Sequence, residues 1–107
     1  MADALASTAA AAKTAATATA HLKAGHAAAL RGDVARAVPG FLHASEAWQT
    51  IGRMPDALNA LQEGIDALKG HPVAVSVPLY LAAGRANCAC QEFGTAARLF
   101  KVCKDAG

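Results

Sequence analysis

The sequence repeats the segment Val38-Pro39-Gly40-Phe41-Leu42-His43-Ala44 further along the chain as Val77-Pro78-Leu79-Tyr80-Leu81-Ala82-Ala83. Beyond this segment, small and apolar residues return at the same interval, such as Ala57 with Ala96 and Leu61 with Phe100. A fixed period of about 20–50 residues is typical of repeat proteins, in which each unit packs against its neighbours. Because such proteins mostly bind other macromolecules, the repeat favours a binding protein over an enzyme.

The composition predicts an all-α fold of one domain. The chain has 107 residues, and 54% of them are apolar, many of these being alanine, while only 5% are aromatic. Alanine has the highest helix propensity, and its small side chain lets helices approach closely. No segment alternates apolar and polar residues in the way that a half-buried strand requires.

The charge and the cysteines limit the environment in which we expect the protein to act. The net charge is +2, and no basic run is interleaved with aromatic residues, so we expect no nucleic-acid partner. No stretch of about eighteen apolar residues occurs, so we expect no membrane span. The cysteines number three, an odd count, and lie inside helical patterns, which favours a reducing compartment such as the cytoplasm.

The first twenty residues, MADALASTAAAAKTAATATA, are rich in alanine and threonine and poor in acids. Organelle transit peptides share that composition, so organelle targeting is one interpretation. No arginine precedes Arg31, and Asp3 lies within the segment, which favours a plain alanine-rich helix. We expect residues 1–14 to be a low-complexity segment that frays, ahead of a repeat domain at residues 15–107.

Glycines and prolines interrupt the apolar stripes and predict five successively antiparallel helices, at about 4–31, 34–51, 54–69, 78–91 and 94–105. We expect Asp33 to cap the second helix and Pro55 to open the third. Residues 73–77 are expected to form an extended linker, with Pro78 in the first turn of the fourth helix. Pro39 leaves two alternatives: a new helix that starts beside it, or one helix that continues through it with a kink.

Two helical units resemble tetratricopeptide repeats, in which small and aromatic residues hold fixed places on paired helices. The second unit has Tyr80-x-x-Ala83-Gly84 followed by Ala96-x-x-x-Phe100-x-x-Cys103. The first unit has Phe41, Ser45 and Trp48, followed by Gly52 and Ala57-x-x-x-Leu61-x-x-Gly64. Small residues permit close helix contact, and the aromatic residues fill the volume beside it. The resemblance covers about residues 15–107.

The resemblance implies a TPR-like domain of antiparallel helical hairpins, at about residues 38–70 and 77–107, preceded by one helix and stacked as a short right-handed superhelix. Three features depart from the family. The period, which separates Val38 from Val77, is about 39 residues rather than about 34. In addition, Ser45 occupies a place where glycine is usual. Finally, the stretch Gly32-Asp33…Ala37-x-x-x-Phe41-x-x-Ala44 also fits a second-helix pattern, so two registers overlap. Such overlap and the longer helices are similar to the variant repeats of vesicle-fusion attachment proteins and kinesin light chains. A vesicle-trafficking or cargo adaptor is therefore an alternative to a general scaffold, adaptor or complex subunit.

The resemblance also places a partner-binding groove on the first helix of each unit. Aligned by the repeat, its residues are Leu42, Glu46, Gln49, Leu81, Arg85 and Cys88. Chaperone-binding members of the family clamp a terminal carboxylate with lysine and asparagine, which this set lacks. We therefore expect a protein partner that supplies a helix or an extended peptide. The alternative is that these six are ordinary surface and core residues.

We expect neither enzyme activity nor a cofactor or metal. Carboxylates are scattered, the four histidines share no ligand spacing, and no glycine-rich phosphate loop is present. Cys88 and Cys90 point in different directions on a helix, and together with Cys103 they are expected to be buried structural thiols. A small-molecule pocket enclosed by the alanine-rich helices is a distant alternative.

The last helix is expected to carry a second interface. Its apolar residues spread over a wider arc than one neighbouring helix covers, so we expect Leu99 and Val102 to contact another chain or a continuation of this one. A homo-oligomer is one form that such a contact could take. Within the domain, five large side chains are expected to be mostly buried: Phe41, Trp48, Leu61, Tyr80 and Phe100.

Overall fold

The computed structural model describes the backbone of residues 2–106 and the side chains of residues 9–106. These residues form five α-helices and no strand: α1 (Ala2–Leu30), α2 (Val34–Thr50), α3 (Met54–Ala67), α4 (Val73–Ala89) and α5 (Phe93–Ala106). The all-α prediction is confirmed. Each predicted helix boundary lies within two residues of the observed one, except the start of α4.

Residues 73–77 belong to α4, so the predicted linker and the predicted helix start at Pro78 are wrong. Pro72 precedes the helix instead, with a φ of −55° and a ψ of 144°. Pro78 lies inside α4, as Pro39 lies inside α2, so of the two alternatives for Pro39 the continuous helix is the observed one. A proline removes one helical hydrogen bond. Both prolines are exposed, so water can solvate the carbonyl that loses its partner.

The turns after α1, α2 and α4 each contain one residue in the left-handed backbone conformation. Gly32, Gly52 and Gln91 have φ values of 73°, 74° and 63°. The residue after each one donates its N–H to a carbonyl five residues earlier, as Asp33 does to Ala28 at 2.9 Å. This pattern satisfies the last carbonyls of a helix and reverses the chain. Asp33 then caps α2 as predicted, accepting a hydrogen bond from a first-turn N–H at 3.3 Å.

The helix boundaries repeat with the period of the sequence. The interval that carries Val38 onto Val77 also carries both ends of α2 onto those of α4, and both ends of α3 onto those of α5. Buried alanines extend the same interval back into α1, because Ala18, Ala57 and Ala96 are at most 2% exposed. Helix α1 therefore shares the small-residue pattern of α3 and α5, a relation that the two-unit interpretation misses.

The helices form a thin layer that measures 51 × 34 × 15 Å along its principal axes. Each helix lies against its neighbours in sequence, α2 also contacts α4, and α1 also contacts α3. Helix α5 differs, because within the described residues its backbone comes close to α4 alone. Each of the other four helices contacts at least two helices, so α5 has the fewest neighbours.

The core is centred on Phe41, which is fully buried between glycines of neighbouring helices. A methyl group at Gly64 of α3 would lie 2.7 Å from the Phe41 ring, and one at Gly25 of α1 would lie 3.3 Å from it. Gly40 of α2 faces the backbone of Gly25, where a methyl group would come within 2.8 Å of the Cα atom. Side chains at these places would hold α1, α2 and α3 apart.

Two of the five predicted core side chains are fully buried, Phe41 and Leu61. The other three are only half-buried: Trp48, Tyr80 and Phe100. Trp48 lies in the last turn of α2, where the Arg53 guanidinium is 4.8 Å from its ring centre. Because the molecule is one layer of helices, Trp48 near the end of α2 and Phe100 on α5 are covered from one side only.

Helix α1 begins at Ala2 and passes residue 14 without a break. It has 29 residues against 17 in α2, so its first part reaches the far end of its neighbour, where Thr14 lies beside Thr50 and Ile51. The expected fraying of residues 1–14 falls in part outside the described residues, which exclude Met1 and the side chains up to residue 8. It stays a prediction.

Candidate partner-binding cleft

Helices α2 and α4 leave a cleft of about 220 Å³ between them, lined by Glu46, Gln49, Ala82, Arg85, Ala86 and Ala89. The α4 side of the cleft is lined by three alanines, here called the alanine floor, of which Ala86 is buried, Ala82 is half-buried and Ala89 is exposed. Polar side chains of both helices form the walls. The two helices have the same length, and their ends are separated by the interval of the sequence repeat.

The walls carry opposite charges on facing helices. Glu46 belongs to α2 and Arg85 to α4, and both side chains are exposed. Among the described side chains neither takes part in an ion pair, unlike Arg53, whose guanidinium is 2.7 Å from the Asp56 carboxylate. A carboxylate and a guanidinium without partners can each form a charge-assisted hydrogen bond with a ligand.

Gln49 adds an amide group whose orientation is already restricted. Its Nε2 donates a hydrogen bond to the Ser45 hydroxyl, one turn earlier, at 3.1 Å. Ser45 is 1% exposed, so the bond ties the exposed amide to a buried group. The amide oxygen of Gln49 remains an acceptor for a donor on the ligand.

Three of the six predicted groove residues line the cleft: Glu46, Gln49 and Arg85. Leu42 is half-buried and packs against the hydrophobic core instead. Leu81 and Cys88 are half-buried on α4 and are not among the residues that line the cleft. Each precedes a cleft residue by one position, and one position turns a side chain by about 100° around the helix axis.

The alanine floor is the part of the cleft that the sequence interpretation missed. Ala82, Ala86 and Ala89 are spaced by four and three residues, which places them on one face of α4. That spacing is a signal in the sequence. It does not stand out, because an alanine-rich chain contains many such stripes.

The two residues of the predicted C-terminal interface lie in different depressions. Leu99 lines a groove of about 280 Å³ between α3 and α5, together with Pro55 and Leu58. Val102 lines a depression of about 250 Å³ beside Val73 of α4. Both residues are half-buried, and their contact with another chain stays a prediction.

A wider depression of about 410 Å³ lies between α1 and α3, with Leu30 on its rim. Its acidic groups already have neighbours: the Glu63 carboxylate is 3.4 Å from His26, and the Asp66 carboxylate is 3.4 Å from Lys69. A ligand would have to compete with these contacts. The cleft between α2 and α4 is therefore the better candidate, although it is smaller.

The thiols are more exposed than expected. Cys90 is exposed, Cys88 and Cys103 are half-buried, and all three are free, so the prediction of three buried thiols is wrong. Cys90 directly follows the last residue of α4, beyond the packed part of the helix. Among the described residues no group of three or more histidine, cysteine or acidic side chains could hold a metal ion.

The fold and the cleft together define an all-α protein whose helix boundaries recur at the interval of the sequence repeat. No family model, no curated protein and no solved structure matches the chain. Within residues 2–106, none of the helices combines the length and the apolar character that crossing a membrane requires.

Proposed function

We propose that the chain is a protein-interaction module of TPR-like helical repeats that serves as a scaffold, an adaptor or a structural subunit of a larger assembly. Antiparallel hairpins stacked as a short right-handed superhelix would bring the first helices of successive units side by side. The recurrence of α2 and α3 as α4 and α5, and the contact between α2 and α4, support this arrangement.

The observation that carries the proposal is a pair of opposite, unpaired charges, Glu46 and Arg85, on either side of an alanine floor. The small floor admits the backbone of a partner helix or an extended segment, while the two charges favour a basic and an acidic side chain at set places. A small-molecule site would need more enclosed space, of about 300–1,000 Å³. The cleft therefore fits a segment of a protein better than a metabolite.

Selection from a displayed library of random helical peptides tests this function. We expect the wild-type chain to enrich peptides that carry one basic and one acidic residue at a recurrent spacing. The double variant Glu46→Arg with Arg85→Glu reverses the two charges of the cleft and keeps the net charge, so it should enrich peptides with the opposite order.

Glu63→Lys is the control, because it changes a charge on α3 outside the cleft and should leave the selected peptides unchanged. Failure of the wild-type chain to enrich any peptide family would contradict the proposal. So would selection of the same peptides by the wild-type chain and the charge-reversed variant.

A further inference from the structure

Helices α3 and α5 carry equivalent faces, and the face of α3 is covered by the helix that follows it. Leu61 of α3 is fully buried and Ile65 is 6% exposed. Both belong to one hydrophobic cluster with Leu79 and Ala83 of α4. The face of α3 that carries Leu61 and Ile65 is therefore the face on which α4 packs.

On α5, only part of the equivalent face is covered. Phe100, at the place of Leu61, is half-buried beside Gly84 of α4, while other positions face solvent within the described part of the chain. Phe93 is 64% exposed, where α3 has the half-buried Met54. Ala97 is exposed as well, and an exposed Lys104 stands where α3 has Ile65. Spacings of four and seven residues place Phe93, Ala97 and Lys104 on one side of the helix. These three residues form an exposed stripe, whereas their counterparts on α3 are half-buried (Met54, Leu58) or buried (Ile65).

The stripe on α5 is complementary to itself. Its beginning carries the exposed ring of Phe93, with Glu92 in the turn just before it, and its middle carries Ala97. Its end carries Lys101 and Lys104, and although Asp105 is exposed there too, this end is net basic. Among the described side chains, none of these four charged residues forms an ion pair. Two such helices that lie antiparallel would bring the acidic and aromatic end of one against the basic end of the other. A parallel pair would bring like charges together.

We propose that this stripe is a dimerisation surface, on which a second copy of the chain docks antiparallel about a twofold axis near Ala97. The small side chain of Ala97 lets the two helices approach at the axis. On each side of it, Lys104 of one copy pairs with Glu92 of the other and lies over the ring of Phe93. Self-complementary twofold contacts are the commonest interface of homo-oligomers.

The dimerisation surface is separate from the cleft between α2 and α4, because none of its residues lines that cleft. The inference therefore does not depend on the proposed function. It also gives the exposed Phe93 a partner, and removal of an exposed aromatic ring from water favours association.

Sedimentation equilibrium of the full chain, over a wide range of concentration, tests the dimer. We expect a monomer–dimer equilibrium that weakens as salt is added, because exposed charge pairs are screened. Glu92→Lys alone and Lys104→Glu alone each place like charges opposite one another at two symmetric sites. Each should raise the dissociation constant by roughly tenfold. The variant with both changes restores opposite charges and should restore the dimer.

Two further variants keep the test sharp. Glu63→Lys makes the same charge change on α3, away from the stripe, and should dimerise like the wild-type chain. Ala97→Glu places two carboxylates across the axis and should give a monomer with unchanged helix content by circular dichroism. A wild-type chain that is monomeric at every concentration overturns the proposal. A dimer that persists in Ala97→Glu, or a double variant that dimerises no better than the single ones, overturns it as well.

Discussion

Gly40 and Gly25 determine how closely α1 and α2 approach. Alanine at Gly40 would place a methyl group 2.8 Å from the Gly25 Cα, which is backbone and cannot move aside without shifting α1. We expect Gly40→Ala to lower the free energy of unfolding by about 1–3 kcal/mol, although alanine is the better helix former by about 1 kcal/mol. Chemical denaturation measures the change.

Gly94→Ala is the matched control for this substitution. A methyl group there would have no neighbouring atom within 4 Å, so only the gain in helix propensity remains. The control should therefore be neutral or slightly stabilising. If Gly40→Ala were as stable as Gly94→Ala, α1 and α2 would have to lie farther apart than described.

Gln91 has a left-handed backbone conformation. At the equivalent position of the repeat, 39 residues earlier, the residue with this conformation is Gly52. The φ of Gln91 is 63°, and that of Gly52 is 74°. Because this conformation costs a residue with a Cβ about 1–2 kcal/mol, we expect Gln91→Gly to raise the free energy of unfolding by roughly 1 kcal/mol. The opposite exchange, Gly52→Gln, should lower it by a similar amount. Thermal melts compare the two, and a lower melting temperature for Gln91→Gly would contradict the assignment.

At the level of the helices, buried alanines at the repeat interval hold α1, α3 and α5 close to their neighbours. Leucine in place of Ala18, Ala57 or Ala96 would overpack each contact, and we expect a loss of about 1–3 kcal/mol for each. Ala20→Leu, on the exposed side of α1, is the control and should change stability little. Urea midpoints decide the comparison. An Ala18→Leu variant as stable as Ala20→Leu would show that α1 does not share the pattern.

The sequence predicted helix ends correctly where a local signal marks them, as Gly32 and Asp33 do between α1 and α2. The start of α4 was predicted wrongly. Proline is typical of a first helical turn, and Pro55 does lie in the first turn of α3, but Pro78 lies inside α4. The first turns of α4 are held by tertiary packing: Ser76 is 4% exposed, and Val75 packs against the core. Packing of this kind overrides local propensity and leaves no local mark in the sequence.

The sequence predicted the charged residues of the cleft but not the alanines that line it. The repeat interval aligns Glu46 with Arg85, and both line the cleft. An interval fixes which residues are equivalent, but it does not fix the rotation of each helix about its axis. Two helices that carry equivalent positions can therefore turn Leu81 away from the cleft and bring its neighbour Ala82 into the floor.

The whole molecule is a layer of helices only 15 Å thick along its shortest axis, so few large side chains are fully buried. Both broad faces of the layer are open to binding partners. The cleft and the dimerisation surface share no residue. A dimer formed through α5 would carry two clefts, so a partner with two binding segments would bind it more tightly than it binds one copy. The dimer-breaking variant Ala97→Glu should reduce that gain and leave the affinity for a single peptide unchanged.

The location of the partner site can be measured by titrating the chain with a selected peptide while recording its amide NMR spectrum. We expect the shift changes to concentrate in residues 42–50 and 81–89 on either side of the cleft. They should disappear in the variant with Glu46→Arg and Arg85→Glu. The depression around Leu30 and Glu63 should stay unaffected. Shift changes centred on that depression, with none in α2 and α4, would contradict the assignment of the cleft as the partner-binding site.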